Sequence, residues 1–519
     1  MKFILKASVV VSIASMSLYS VPSSALDLDW SGHFRAESHN ILKYTMDSGS
    51  NDVDTQKIAS GGYYIPGSNN KNAYFQTLFL SLKPTVIVND NIYIKSDWWV
   101  GDPVYGFFGS GVPYSADQRQ FNSNQSGGST VVAQRYWAEF LSEVGTVHVG
   151  RAPLHYGLGI VWNEGNRRSS RYHSTGDVVR LISKFGSFKF APGVVKHSMG
   201  NSLVGACLNP ASTGSLDSNT GVCTATAGGS GHGNVTDYSI MFEYDNIEEE
   251  MTLGLHYLKR VAGFQQDLSG YQTAEGTSGG SNYQIWDIFA KKEFGKVTIA
   301  GELPVVTGTV GSLKYTTWAL ALENKIQFSD RFGTLLKIGK APGQPNIQSG
   351  TPDSFKAFYF NPDYRLGMVM FNYQFRNFTG PNSLNNPAGN GSLLVSPFDN
   401  PIVNAYYVSL SGNYQLGKWG IRGGGVWAQA IEVAEGGTTF FNTWDRNFYS
   451  AAAGVSDQKK SLGWEMDYGV TYIWDDYFSF DFDLGFYFPG DYYKFANLAN
   501  KENGTETVYT GILGATVSF

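Results

Sequence analysis

Glu164, Arg167, Arg168, Arg171 and His173 gather within one segment, Ala152 to Gly176. Closely spaced guanidinium forks match the paired oxygens of a phosphate or carboxylate. On a segment that narrows a passage they would sort ions by charge. On an outer loop they would meet anionic lipid headgroups or nothing, and the residues alone leave both readings open. Bond-making chemistry finds less support. Gly276-Thr277-Ser278-Gly279-Gly280 matches G-x-S-x-G, yet a nucleophile elbow needs an apolar strand before it and a helix after it, and neither is written here. The 8 histidines are scattered without an H-E-x-x-H pair, and no Gly-Lys-Ser/Thr phosphate cradle occurs. No catalytic constellation, metal site or cofactor is expected, and the chain is not read as an enzyme. Its formal net charge of -6, which becomes -8 once Lys2 and Lys6 are removed, argues against a nucleic-acid partner.

Those two lysines flank the start of an apolar stretch from Ala7 to Leu18 that ends in Ser23-Ser24-Ala25. A charged start, apolar middle and small-residue exit form a secretory signal, so residues 1–25 are expected to be cleaved and residues 26–519 to form one domain. Export places Cys207 and Cys223, the only cysteines, in an oxidising compartment. They are expected to form a disulfide within a loop rich in Gly, Ser and Thr. No His or further Cys lies at ligand spacing from them, so the pair is not read as a metal site.

The elements that hold the basic segment show in the periodicity. Phe478, Phe480, Phe482, Leu484, Phe486 and Phe488 alternate with Ser479, Asp481, Asp483, Gly485 and Tyr487. Trp464, Met466, Tyr468, Val470 and Tyr472 alternate likewise with Glu465, Asp467, Gly469 and Thr471. Period two means strands with one greasy and one wet face. After the signal no apolar run reaches the roughly 18 residues of a membrane helix. A mean hydropathy of -0.20 does not exclude a membrane, because a barrel strand shows lipid only every second side chain. Many segments run to about ten residues, the length of a tilted membrane crossing and longer than the average soluble strand.

Short turns such as Asn89-Asp90-Asn91, Gly186-Ser187, Phe294-Gly295-Lys296 and Ser329-Asp330-Arg331 alternate with long polar segments such as 101–132, 198–234, 261–281 and 433–460. The fold class read from this pattern is all-β, a transmembrane antiparallel β-barrel of about 18 strands, with 16 as the alternative. Short turns would face the periplasm and long loops the outside. The even count requires that 339–401 contribute no crossing. Leu366 to Phe375, although strand-like, is therefore placed in a long loop folded into or over the barrel. Sixteen to eighteen strands normally leave an aqueous channel. Its lining candidates are Lys95, Asp97, Arg135, Glu139, Arg180, Lys184, Asp237, Glu243, Asp467, Asp481 and Asp483, with His256, Asp287 and Glu465 on the same faces.

Tyr509, Leu513, Ala515 and Val517 share a face of a final strand that closes on Phe519. This ending resembles the C-terminal signature of bacterial outer-membrane β-barrels, and with the order of turns and loops the chain resembles porins. The resemblance implies recognition of the last strand by the barrel-assembly machinery, and a setting among outer-membrane lipids and lipopolysaccharide. It also implies a homo-oligomer, a trimer or another ring, and a third long loop that narrows the channel with basic residues set opposite acidic ones. That loop is the segment bearing Glu164, Arg167, Arg168, Arg171 and His173. The function implied is passive diffusion of ions and small hydrophilic solutes; the alternative is a structural or surface-interaction barrel with a plugged lumen.

The cysteine reading is testable directly. Thiol titration of the folded, exported protein should find no free thiol until a reductant is added. In the chain-entropy model the crosslink closes a loop of about 15 residues and restrains it by roughly 3 kcal/mol, so reduction should loosen the loop and leave barrel melting unchanged.

Overall fold

The computed structural model describes residues 27–44, 46, 72–101, 103, 131–198, 214–216, 223–225, 235–263, 280–348, 352–373, 398, 400–443, 447–495, 502 and 504–519. Alternating side chains, as expected, make strands, and those strands close into an antiparallel barrel of 18. In chain order they are β1 Asp27–Leu42, β2 Ala73–Asn89, β3 Ile92–Gly101, β4 Val131–Ser142, β5 Gly145–Pro153, β6 Thr175–Phe185, β7 Phe188–Ser198, β8 Val235–Asn246 and β9 Met251–Ala262. There follow β10 Ser281–Phe294, β11 Val297–Val310, β12 in two parts (Leu313–Trp318 and Leu320–Ser329), β13 Phe332–Ala341, β14 Ala405–Leu416, β15 Trp419–Ala430, β16 Ser461–Ile473, β17 Phe478–Pro489 and β18 Val508–Ser518. Each pairs with its sequence neighbour, and β1 pairs with β18 from His33↔Ser518 to Leu42↔Tyr509, so no edge is left open. The start of β1 and the end of β18 lie at the short-turn rim, where the Gly32 and Phe519 backbones bond to each other.

The turns on that rim are short because glycine permits them. Gly186, Gly295 and Gly417 sit at φ 60, 60 and 56, the left-handed region that a tight hairpin requires. The break in β12 also has a local cause: Ala319 donates to the Pro304 carbonyl of β11, but proline has no N–H to return.

The outward face is apolar and carries two aromatic girdles. Trp30, Phe185, Phe188, Phe294, Phe328 and Trp419 are exposed near the short-turn rim, and Tyr74, Trp98, Trp318, Tyr406, Trp427 and Trp464 near the long-loop rim. This is the lipid-facing pattern of an outer-membrane-type barrel.

The inward face is partly covered by chain. Residues 154–174, between β5 and β6, and the described residues of 342–404, between β13 and β14, fold into the lumen and bury Ile160, Trp162, Phe360, Val369 and Tyr373 against inward wall side chains such as Phe75, Leu258 and Tyr407. The described residues of 339–401 add no crossing, as the parity required. They are not wholly free of strand, however, since Gly339–Ala341 end β13 and Ser354–Phe355 bridge to Lys314–Tyr315 in parallel. Over its described part, Leu366–Tyr373 is bends and turns rather than a strand, because its backbone groups bond to side chains of β14 and β16 and to its own Val369 carbonyl instead of to a neighbouring strand. Of the long loops, 198–234 contributes a hairpin of Gly214–Leu216 with Cys223–Ala225, and 433–460 one of Thr439–Asn442 with Asn447–Ser450. The proposed signal and Cys207 lie outside the described residues, as does the Cys223 side chain.

Neighbours in sequence give a test of sidedness. Leu410 faces out midway along β14, and Ser411 faces in. Leu410→Arg should cost about 2–4 kcal/mol of barrel stability in lipid vesicles, whereas Ser411→Arg should leave it nearly unchanged; equal losses would mean the assigned faces are wrong.

Candidate functional site

Two glutamates hold the inward segments. Glu302, on β11, accepts the backbone N–H groups of Leu158, of Gly159 at 3.0 Å and of Ile160 at 3.3 Å. Glu465, on β16, accepts those of Met368 at 2.7 Å, Val369 at 2.9 Å and Met370 at 2.5 Å. Three successive amides converging on one anion form a nest. Each nest begins at a glycine because the carboxylate comes so close: a Cβ on Gly157 would lie 2.6 Å from Glu302 Oε2, and one on Gly367 would lie 2.4 Å from Glu465 Oε1.

The segments then lock to each other and to β1. Asp363 accepts the Ser170 hydroxyl at 2.6 Å and the Arg171 N–H at 3.0 Å, and lies 3.5 Å from Arg167 and 3.4 Å from Arg365. Arg171 pairs with Glu37 of β1, donates to the Pro103 carbonyl at 3.1 Å and stacks 3.8 Å from the Phe398 ring centre. His39 and Tyr373 share a 2.8 Å hydrogen bond beside this pair. Arg35 caps the first segment by donating to the Arg168 and Ser170 carbonyls.

The five residues singled out on 152–176 therefore divide. Arg167 is 57% exposed, and Arg168 is exposed beside it. Arg171 is buried and consumed by Glu37. Glu164 turns its carbonyl to Arg135 at 2.6 Å and to the His173 ring. His173 packs on Trp99, and burial, with Arg135 adding to it, pushes its pKa down to about 3, so it is neutral at pH 7 and supplies no positive charge.

The wall candidates all stand on inward faces, at unequal depth. Asp97, Arg135 and Asp237 lie beneath the inward segments and are spent on contacts: Asp97 accepts Ser81 and Trp99, Arg135 donates to Thr175, and Asp237 is held by Arg260 and His197. Below the segments, Lys95 pairs with Glu139 at 2.9 Å, Arg180 with His148, and Lys189 with Glu243, while Lys184 is exposed at the rim. Asp467, Asp481 and Asp483 gather on β16 and β17, where Arg422 meets Asp483 at 2.9 Å. A cavity of about 180 Å³ opens there against the second segment, lined by Arg365, Ser409, Arg422, Asp467 and Asp483. Acidic β16–β17 and the basic group of Arg167, Arg168, Arg365 and Lys337 thus lie within one lumen.

Reading the sequence missed Glu302, Glu37, Asp363 and Arg365. Glu302 left a signal: on its face it stands between Ala300, Pro304 and Val306, an acid in an apolar row that needs partners from elsewhere. Asp363 left none, lying in a loop whose partners are nearly 200 positions away.

No family model matches the chain, and neither does any curated protein. Solved structures match over nearly its whole length at low identity. OccK2 (OpdF) of Pseudomonas aeruginosa is 8% identical over 95% of this chain and 98% of its own, with a TM-score of 0.45. OccK9 (OpdG) of the same organism is 11% identical over 95% and 99%, with a TM-score of 0.46. A BenF-like porin from Pseudomonas fluorescens Pf-5 is 9% identical over 95% and 99%, with a TM-score of 0.44. The likeness is faint. At such values it adds nothing to the barrel that the strand register already establishes.

The two nests predict where the lumen gives way. Removing an acceptor leaves three buried N–H groups without partners, at about 1–3 kcal/mol each. Glu302→Ala should speed tryptic cleavage after Arg167 and Arg168, and Glu465→Ala cleavage after Arg365, with the strands still protected; wild-type cleavage rates in both would show that the glutamates do not anchor these segments.

Proposed function

We propose that this protein is a porin-like channel of the outer membrane, passing ions and small hydrophilic solutes by diffusion and favouring anions. The observation that carries the reading is the exposure of Arg167 and Arg168 on a segment folded into an 18-strand barrel. A barrel this wide does not fill itself with wall side chains. What remains open is narrowed by chain that presents solvent-exposed guanidinium groups: Arg167 rests against Asp363 with more than half of its side chain exposed, and Asp363 is shared with Arg365 and backbone, while Glu37 is taken up by Arg35 and Arg171. Fixed positive charge in a low-dielectric constriction raises the local concentration of anions. Asp481 and Asp483, both on β17, share the single cation Arg422 and leave a net acidic group in the same lumen, the second pole of a transverse field in this reading. No bond is made or broken in this reading.

Its further parts are removal of residues 1–25 on export, recognition of the last strand and Phe519 by the assembly machinery, contact with lipopolysaccharide, and association into a homo-oligomer through the outer wall. A second reading, a plugged barrel serving surface interaction, draws on the apolar packing of Ile160, Phe360 and Tyr373 inside the lumen.

Planar bilayers separate the two. The purified protein should give discrete conductance steps and an anion-selective reversal potential in a salt gradient, and Arg167→Gln with Arg168→Gln should lower the anion preference several-fold. Absence of steps would favour the plug, and unchanged selectivity in the double variant would take the arginines out of the permeation path.

A further inference from the structure

A second cavity lies in the half of the lumen nearer the long loops, and its chemistry differs from that of the basic constriction. It measures about 160 Å³. Trp162 enters from the first inward segment, Phe358 and Tyr359 from the second, and Tyr283 and Tyr315 from the wall strands β10 and β12. The rings are fixed before anything binds: Tyr283 and Tyr315 meet edge to face at 5.1 Å, and Tyr315 donates its hydroxyl to the Ala357 carbonyl at 3.2 Å. Trp162, Tyr283, Tyr315 and Phe358 are all buried, yet they leave this space between them.

An apolar cavity of about 150 Å³ is large enough to hold a benzene ring. Aromatic walls favour such an occupant further, through edge-to-face and offset contacts that an aliphatic chain does not make. The one charged group on the lining is Arg260, and Asp237 already meets it with two bonds of 2.7 Å, to Nε and Nη2. That polar edge is a compensated ion pair. It can exchange hydrogen bonds with a neutral hydroxyl, but a second anion beside it would lose its hydration without gaining an unpaired cation.

The geometry points to a binding site for an uncharged single-ring aromatic carrying one hydrogen-bonding group, of the phenol class, in the pocket between the two inward segments and strands β9, β10 and β12. The site stands on the cavity and its lining and does not depend on conduction. It is distinct in ligand class from Arg167 and Arg168, which select by charge.

Equilibrium dialysis of radiolabelled phenol against the full-length protein in lipid nanodiscs tests it, with empty nanodiscs measuring partition into lipid. Wild type should show one saturable phenol per chain above that linear background. Ile285→Phe and Val161→Phe, which fill the cavity from the wall and from the first segment, should each weaken binding at least ten-fold while keeping resistance to unfolding in detergent. Benzoate should bind at least ten-fold more weakly than phenol in the component that Ile285→Phe removes, and Arg167→Gln with Arg168→Gln should leave phenol binding unchanged. No saturable component, folded filling variants that bind as wild type does, or benzoate matching phenol in that component would each overturn the site. A protein that holds phenol and passes no current would cost the channel reading and leave this one standing.

Discussion

Glu302 and Glu465 each take three successive backbone N–H groups from chain that has no strand partner. Backbone away from bulk water must find partners for its donors, and inside a barrel the wall's own amides are already committed to the ladder. Some donors turn to carbonyls of the segments themselves, as Asn361 N–H does to Ile160, and others to wall side chains. A carboxylate suits the task because it offers several lone pairs within a small space, and the two glutamates do for the inward segments what a neighbouring strand does for β1 through β18. The glycines that begin the nests follow from the same need, since a side chain at Gly157 or Gly367 would occupy the place of the carboxylate.

Once the segments are anchored, charge inside the lumen falls into two populations. Buried charges are spent: Arg171 on Glu37, Asp363 on two segments at once, Arg135 on loop carbonyls. Such groups position chain and add little to the field in the open space. The charges left in contact with water, Arg167 and Arg168 on one side and the Arg422–Asp483 group on the other, set that field. Anchoring also makes the two cavities differ in kind. Where the second segment passes β16 the space is lined by charges of both signs, and where both segments pass β10 and β12 it is lined by rings.

Much of the barrel is legible in the chain because a strand's side chains alternate by steric necessity, so Phe478 to Phe488 declare their two faces without reference to anything distant. The turns are equally local: Gly295 has to adopt a left-handed backbone, and the residue type says so. Parity then removes 339–401 from the wall, although Leu366–Tyr373 is strand-like in composition; an apolar run marks burial and does not say that a hydrogen-bonding partner stands alongside. Of the constriction, residue types marked the segment and not the roles. Arg167 and Arg171 are the same residue four positions apart, and only the approach of Glu37 from β1 takes one out of the water and leaves the other in it.

The sequence by itself determined the wall: strands with one apolar and one wet face, short turns and an even count, because each depends on period, residue type and neighbours within a few positions. The tertiary structure alone decided what stands inside that wall. Which acid meets Leu158, which segment Asp363 joins, and which arginines stay in water depend on approaches between residues about 100 to 200 positions apart, and neither periodicity nor local propensity carries information over that separation.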